Sequence, residues 1–232
     1  MLVLGLDTST AAVSVALVEL HREPDGTPRW GRSASWQQVD ARRHGELLAT
    51  GIAQVLSELA VPATALDAVA VGLGPGPFTG LRVGIVTAAA LSDALGVPAY
   101  GVCSLDVVAA DDDGGGDRLV LADARRREVY WAEYDTDGLR LAGPEVEQPA
   151  GLAERVRVTG WTGRLLGDGA HRYAEHFPGL EVAEAPRFPG GEAVVLLAAG
   201  RALAGEPSEP LTPLYLRRPD AEQPGAPKRV TA

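Results

Sequence analysis

The feature that most constrains the fold of this sequence is a pattern that occurs twice. An apolar strand ends in an aspartate, and a turn and a second strand follow, first around Asp7 and again around Asp123. Two hairpins of one shape, each opening one half of the chain, indicate a duplicated domain. Residues 111–117 between the halves read DDDGGGD, a polar and flexible segment. We therefore predict an N-terminal domain over 1–110 and a smaller C-terminal domain over 117–216.

The first half alternates between strand and helix patterns. Three strands are followed by a helix, a strand, a helix, a strand and a short helix, and the two longer helices are predicted over about 43–60 and 79–95. Alternation of this kind predicts an α/β sheet that is largely parallel beyond the first hairpin, with helices on its faces. The second half is less regular, with an apolar helix predicted over 193–204. Residues 217–232 have almost nothing to bury, and we predict a disordered tail there.

Composition excludes several kinds of chemistry. A formal net charge of -10 argues against broad binding to phosphate backbones or anionic membranes. Lys228 is the sole lysine, so a P-loop lysine and a Schiff base are excluded from the fold. Cys103 is the sole cysteine, which excludes disulfides and cysteine-based zinc sites. The N-terminus reaches Asp7 after a few apolar residues and has no basic region, so we expect no signal peptide and a cytoplasmic protein.

A rigid loop, GPGPFTGLR over 74–82, joins a predicted buried strand to a helix. Its prolines fix φ, its glycines permit unusual conformations, and Thr79 is the predicted N-cap of the helix, with Phe78 and Val83 at the spacing of a hydrophobic staple. Free N–H groups at such a helix start favour an anion, and the acidic and hydroxyl side chains after the first strand suit Mg²⁺ and phosphate oxygens. The candidate nucleotide or phosphate site comprises Asp7, Thr8, Ser9, Gly74, Gly76, Thr79 and Gly80. A stiff connection and ordinary turn bonding are the alternatives, and the loop lacks the lysine of a Walker A motif.

Small residues line one face of the second helix. Gly80, Gly84 and Ala88 lie four apart, and helical glycine costs about 1 kcal/mol relative to alanine, so close approach of another backbone is expected. That backbone could belong to a sheet, to another helix or to a second subunit.

The histidines and arginines give no metal site. His44 has Leu48 four residues later, and His171 and His176 point apart on a helix because they are five residues apart. We therefore assign no metal ligand and no catalytic residue. The run 125–127, three arginines, could bind an acidic group or form a solvated turn.

Several segments together resemble the bacterial TsaB (YeaZ) family of tRNA threonylcarbamoyladenosine biosynthesis. The most specific are LGLDTSTAAVSVAL at 4–17, GPGPFTGLRVGI at 74–85 and DARRREVYWAEY at 123–134. Further matching segments lie at 42–56, 96–109, 167–173 and 213–221. Pro77 stands where the family often has serine, which removes one hydroxyl from a phosphate site.

The resemblance implies an α/β protein of the ASKHA (actin-like ATPase, ribonuclease H-like) fold class, with two duplicated domains whose mixed sheets are flanked by helices. It also implies a non-catalytic partner and activator of TsaD, which modifies adenosine 37 of tRNAs reading ANN codons. TsaD is implied to hold a metal with a histidine pair four residues apart, of which this sequence keeps His44 alone.

The partners implied are TsaD, the ATPase TsaE and a second copy of the chain, with tRNA reached only through the complex and no membrane. The family's association surface is implied to be the first two helices, which gives an expected interface of His44, Leu48, Gly80, Gly84 and Ala88. No cofactor is required, although weak binding of ATP or ADP with Mg²⁺ is compatible with the fold.

Two other functions compete with this interpretation. An ATP-dependent phosphotransferase or nucleotidase would use Asp7 to hold Mg²⁺, but the arginines after Asp123 are a poor second phosphate loop. A metal-dependent peptidase would need metal ligands or a nucleophile and base pair, and the sequence offers neither.

Overall fold

The computed structural model describes residues 1–217, which form two five-stranded mixed sheets and six α-helices. The strands are β1 Leu2–Asp7, β2 Ala12–Arg22, β3 Pro28–Val39, β4 Ala68–Gly72, β5 Ala99–Val102, β6 Arg118–Asp123, β7 Val129–Tyr134, β8 Arg140–Glu147, β9 Arg164–Leu166 and β10 Glu181–Val182. The helices are α1 His44–Glu58, α2 Phe78–Leu95, α3 Ser104–Ala110, α4 Pro149–Thr159, α5 Asp168–Arg172 and α6 Gly191–Ala204. The order of elements predicted for the first half is confirmed.

The two sheets repeat one topology. The first has the order β3-β2-β1-β4-β5 and the second the order β8-β7-β6-β9-β10. In each sheet the hairpin strands pair antiparallel and the last two strands pair parallel. Asp7 and Asp123 end the two central strands, β1 and β6, at equivalent places. The predicted α/β fold of two duplicated domains, with mixed sheets flanked by helices, is therefore confirmed.

Strand β1 shows how the sequence covers both faces of the first sheet. Side chains alternate along a strand, and Leu4 and Leu6 pack with α1 and α2 on one face, whereas Val3 packs with α6 on the other. Gly5 also faces α6, where a Cβ would collide with the backbone oxygen of Gly191. Glycine at residue 5 thus allows α6 to lie directly on the sheet.

Helix α6 returns to the first sheet from within the range predicted for the second domain. It packs against β1 and β2, and it ends at Gly205, whose φ of 68° is left-handed, as expected for a C-terminal glycine. The second sheet is covered by α3 on one face and by α4 and α5 on the other. The domain limits 1–110 and 117–216 remain a prediction, and the chain crosses between the two sheets more than once.

The segment after α6 ties the two sheets together. The backbone N–H of Leu214 donates to the carbonyl of Leu73 at 2.8 Å, and Arg217 forms an ion pair with Glu128. Arg217, the first residue of the predicted tail, is thus anchored to the second half of the chain. Residues 218–232 of that tail lie outside the described residues.

Helix α2 is the longest helix among residues 1–217, at 18 residues. Its mean hydropathy of 1.3 and its length would suffice to cross a membrane. However, Leu81, Ile85 and Ala88 pack into the apolar core beneath the first sheet, which is the arrangement of a core helix in a globular domain.

Candidate functional site

The carboxylate of Asp7 is the centre of a buried hydrogen-bond network. Its Oδ1 accepts from the backbone N–H of Ser9 at 2.8 Å and from the Ser9 hydroxyl at 2.7 Å. Its Oδ2 accepts from the hydroxyl of Ser104 at 2.6 Å, and that hydroxyl also accepts from the N–H of Gly74 at 3.1 Å. Burial raises the pKa of Asp7, and the Ser104 and Ser9 bonds oppose this effect. The network joins the end of β1 to the loop before α2 and to the start of α3.

Glycines allow this network to close tightly. A Cβ on Gly72 would collide with the Asp7 carboxylate, and one on Gly76 would collide with the backbone oxygen of Ser9. The structure thus brings together Asp7, Ser9, Gly74 and Gly76, as the candidate phosphate site requires, but their polar groups bind one another. An Mg²⁺ ion or a phosphate could reach Asp7 only by displacing these hydrogen bonds.

Thr8 contacts the small face of α2. Its hydroxyl donates to the carbonyl of Gly80 at 2.8 Å and accepts from the N–H of Gly84 at 2.9 Å. A Cβ on Gly84 would lie 2.6 Å from that hydroxyl, and one on Gly80 would lie 2.9 Å from the Thr8 carbonyl oxygen. The close neighbour expected for the small face is therefore the β1–β2 turn of the same chain. Gly80, Gly84 and Ala88 are buried there in the single chain, and the interface predicted on them stays a prediction.

The two residues predicted on α1 differ in their environment. Leu48 is 1% exposed and packs in the core, and its predicted contribution to an interface stays a prediction. His44 is half-buried, and its Nε2 lies 2.8 Å from the carbonyl oxygen of Thr10, which assigns the ring proton to that nitrogen. Within residues 1–217 no group of three or more His, Cys, Asp or Glu residues could hold a metal ion.

Helix α2 begins differently from the sequence prediction. The N-cap is Pro77 and the first helical residue is Phe78, so the predictions of Thr79 as N-cap and of a staple between Phe78 and Val83 are wrong. Proline can stand there because it needs no N–H partner. Phe78 instead stacks on Tyr215 with 5.0 Å between ring centroids, and the Arg82 guanidinium lies 3.6 Å from the Phe78 ring. Nε of Arg82 also donates to the Tyr215 hydroxyl at 2.9 Å, so residue 215 is fixed to the start of α2.

The outer face of α1 and α2 carries small and apolar residues. Val86 on α2 is 63% exposed, and four alanines on the two helices are also exposed. These are Ala49, Ala53, Ala89 and Ala90. We call these five residues the outer helix face. It is the accessible apolar part of the two helices on which the interface was predicted.

A cleft separates the two halves of the duplicated fold. A cavity of about 200 Å³ lies there, lined by His44, Thr79 and Gly80 from the first half and by Asp123 and Asp168 from the second. Oδ1 of Asp168 accepts from the N–H of Asp123 at 3.3 Å. Burial raises the pKa of Asp168 to about 6, and the nearby Asp123 charge adds to this effect. Thr79 and Gly80 thus lie at the cleft, whereas Asp7 is buried and does not line the cavity.

Sequence reasoning missed two residues that organise this region. Ser104 completes the Asp7 network from 97 residues away, and no local pattern indicates that contact. Tyr215 is also distant from its partners, and its one signal is that it lies in a segment of the family resemblance.

The repeated mixed sheets, with an aspartate ending each central strand and helices on the sheet faces, define an α/β protein of the ASKHA and ribonuclease H-like fold class. The family model described as "tRNA N6-adenosine threonylcarbamoyltransferase" (TsaD) matches residues 38–163. The chain is 32% identical to the Escherichia coli "tRNA threonylcarbamoyladenosine biosynthesis protein TsaB", over 94% of this chain and 95% of that protein. It belongs to the TsaB (YeaZ) family.

Two further proteins are similar to this chain over most of its length. An uncharacterised protein of Mycobacterium tuberculosis is 43% identical over 95% of this chain and 93% of its own length. The solved structure of YeaZ from Pseudomonas aeruginosa superimposes with a TM-score of 0.73 at 33% identity, covering 93% of this chain and 99% of that chain.

Proposed function

We propose that this protein is the non-catalytic partner and activator of TsaD in the formation of N6-threonylcarbamoyladenosine at position 37 of tRNAs that read ANN codons. The name of the E. coli relative supports the pathway, and the matching TsaD family model supports a shared ancestry with the transferase. The observation that carries the non-catalytic role is the environment of Leu48.

The resemblance implies that TsaD holds its metal with two histidines four residues apart on its first helix. Here the first position is His44 and the second is Leu48, which is almost completely buried among apolar side chains. The Nε2 of His44 bonds to the Thr10 carbonyl instead. The second ligand position of this helix is a buried leucine, which cannot bind a metal ion. This supports a role as the partner of a catalytic subunit rather than as the catalyst.

The Asp7 network argues against the phosphotransferase alternative. An enzyme of that type needs a carboxylate that can reach Mg²⁺, whereas Asp7 accepts hydrogen bonds from Ser9 and Ser104 within the core. Calorimetric titration with ATP and Mg²⁺ separates the two functions. Turnover, with a Kd tighter than about 10 μM, would favour the phosphotransferase.

Cys103, the sole cysteine of the sequence, does not suit the peptidase alternative. One P. aeruginosa structure, 32% identical, is described as similar to a peptidase, YeaZ. A cysteine nucleophile needs a lowered pKa, but burial raises the pKa of Cys103 to about 11.

We propose that TsaD binds the outer helix face. Val86 exposes most of its side chain, and the alanines around it permit close helix packing, as small residues do at helix interfaces. A second copy of this chain would compete for the same face as a homodimer, and TsaE would join the complex of this chain with TsaD.

Size-exclusion chromatography of the protein mixed with purified TsaD tests this proposal. We expect one co-eluting species at micromolar concentration and a weaker complex with Val86→Glu, because a charge would be buried at the interface. Val158→Glu is the matched control, since Val158 on α4 is 70% exposed. Separate elution of the wild-type proteins would contradict the proposal.

A further inference from the structure

A groove of about 470 Å³ lies between the start of α2, the turn that joins β6 to β7, and residues 215–217. Arg125, Arg126 and Arg217 line it together with Tyr130 and Tyr215. Among the described residues, no aspartate or glutamate lines this groove, although the whole chain has a net charge of -10. The charged side chains that line the groove are therefore arginines, and Glu128 offsets the charge of one of them, Arg217.

The turn beside the groove has an unusual backbone. Arg125, Arg126 and Arg127 have φ values of 60°, 51° and 61°, all in the left-handed region. Each such residue with a side chain costs roughly 1 kcal/mol, and glycine, asparagine and aspartate are the residues that tolerate it best. Arginine is therefore not the residue type that the backbone of this turn favours. We take the three arginines to indicate a role of their side chains.

The guanidinium groups of Arg125 and Arg127 are available to a ligand. Arg217 is engaged in an ion pair with Glu128. Arg125 lines the groove and Arg127 lies outside its lining, in the adjoining turn. Both are exposed, and within residues 1–217 neither side chain has a carboxylate partner. A ligand that carries at least two negative groups would therefore bind without displacing an existing ion pair of these two residues.

Aromatic rings stand at the same groove. Phe78 and Tyr215 stack on each other, and both line the groove and remain exposed. Unpaired RNA bases stack on such rings while arginines contact their phosphates, whereas an acidic peptide would use the arginines alone. The combination of the rings with Arg125 and Arg127 favours RNA over an acidic protein.

We infer that this groove and the turn beside it bind a single-stranded segment of RNA, with Arg125 of the groove and Arg127 of the turn on its phosphodiester groups and Tyr215 against a base. The inference rests on the proposed function, since a partner of a tRNA-modifying enzyme meets a folded RNA with unpaired loops. It differs from the expectation that tRNA is reached only through the complex.

Fluorescence anisotropy with a labelled single-stranded RNA of about 12 adenosine and uridine nucleotides tests the inference on the full chain, between about 50 and 200 mM salt. The double variant Arg125→Ala, Arg127→Ala should bind more weakly. Its plot of log K against log salt should be less steep by about 1.4, because each lost phosphate contact removes about 0.7. Arg29→Ala is the matched control, since Arg29 lies in β3 at the sheet end opposite to Asp7 and pairs with Glu23. We expect this control to bind as the wild type does.

Three results would overturn the inference: a wild-type chain that does not bind the RNA at about 50 mM salt, a double variant with unchanged affinity and slope, or tighter binding of a glutamate peptide of equal length. The last result would assign the groove to an acidic protein. Thermal unfolding checks that the variants are folded. If RNA binding fails while TsaD still co-elutes with the chain, this inference alone is wrong. If RNA binds as described and TsaD does not, the proposed function is wrong.

Discussion

The side-chain hydroxyl of Thr8 accepts a hydrogen bond from the backbone N–H of Gly84 at 2.9 Å and donates one to the carbonyl of Gly80, four residues earlier in α2. An α-helix bonds those two backbone groups to each other. The Thr8 hydroxyl is thus inserted between a backbone donor and a backbone acceptor of α2. These two hydrogen bonds fix the turn after β1 to the first turns of α2.

Gly84→Ala should reduce the free energy of unfolding by about 1–3 kcal/mol, because its Cβ would press against a fixed hydroxyl in a packed core. Gly200→Ala in α6 is the matched control, since a Cβ there meets no atom within 4 Å. That control should gain up to about 1 kcal/mol from helix propensity. Urea unfolding measures both variants, and a loss of equal size in the two would contradict the assigned contact.

Ser104→Ala should cost about 1–3 kcal/mol, because it removes a hydrogen bond from the buried carboxylate of Asp7 and leaves the N–H of Gly74 without its acceptor. Ser57→Ala, on the exposed face of α1, should change stability by no more than about 0.5 kcal/mol. Denaturant unfolding at neutral pH gives both values. Equal stability of Ser104→Ala and wild type would mean that the Asp7 network contributes nothing to the fold.

Asp168→Asn should alter the pH dependence of stability. Burial raises the pKa of Asp168 from 3.8 to about 6, so the folded state binds its proton more tightly than the unfolded state does. Wild-type stability therefore loses up to about 3 kcal/mol from this group as pH rises from about 4 to 6, and the loss persists above that range. The asparagine variant lacks this loss, so its stability relative to wild type should increase over the same range.

Urea unfolding of both proteins at several pH values measures the difference between them, which removes the contributions of the other carboxylates. A difference that stays constant from about pH 4 to 7 would contradict the raised pKa of Asp168.

Arg127→Gly should stabilise the protein by about 1 kcal/mol, since glycine adopts a φ of 61° without strain. Arg127→Ala removes the same charge but keeps a side chain on the strained backbone, so it should not gain this stability. Thermal unfolding compares the two. Both variants should bind RNA more weakly than wild type. Together the two results would show that the Arg127 side chain costs stability and contributes to RNA binding. Equal stability of Arg127→Gly and Arg127→Ala would contradict the claim that the backbone at this residue is strained.

The first half of the fold could be predicted because its information is local. Periodicity predicts α1 and α2, and the repeated strand, aspartate and turn around Asp7 and Asp123 indicates the duplication without reference to long-range contacts. In the second half β8 and α4 were missed, although Pro149 at the first helical position and Gly160 after the last one are ordinary signals of a helix.

Long-range contacts could not be predicted in this way. Nothing near Ser104 indicates that its hydroxyl meets Asp7, and nothing in α6 indicates that Gly191 lies on Gly5 of the first sheet. The small face of α2 was recognised correctly as a site of close approach. Its partner was not, because a stripe of small residues fits a turn as well as another subunit.

Reconstitution of tRNA modification tests the central claim most directly. Purified TsaD, TsaE, unmodified tRNA and a threonylcarbamoyl donor are incubated with and without this protein, and the modified nucleoside is measured by mass spectrometry. We expect product above the level of TsaD and TsaE alone when the wild type or Val158→Glu is added, less with Val86→Glu, and none from this protein without TsaD. Equal product with and without the wild-type protein, or product without TsaD, would contradict its assignment as a non-catalytic activator.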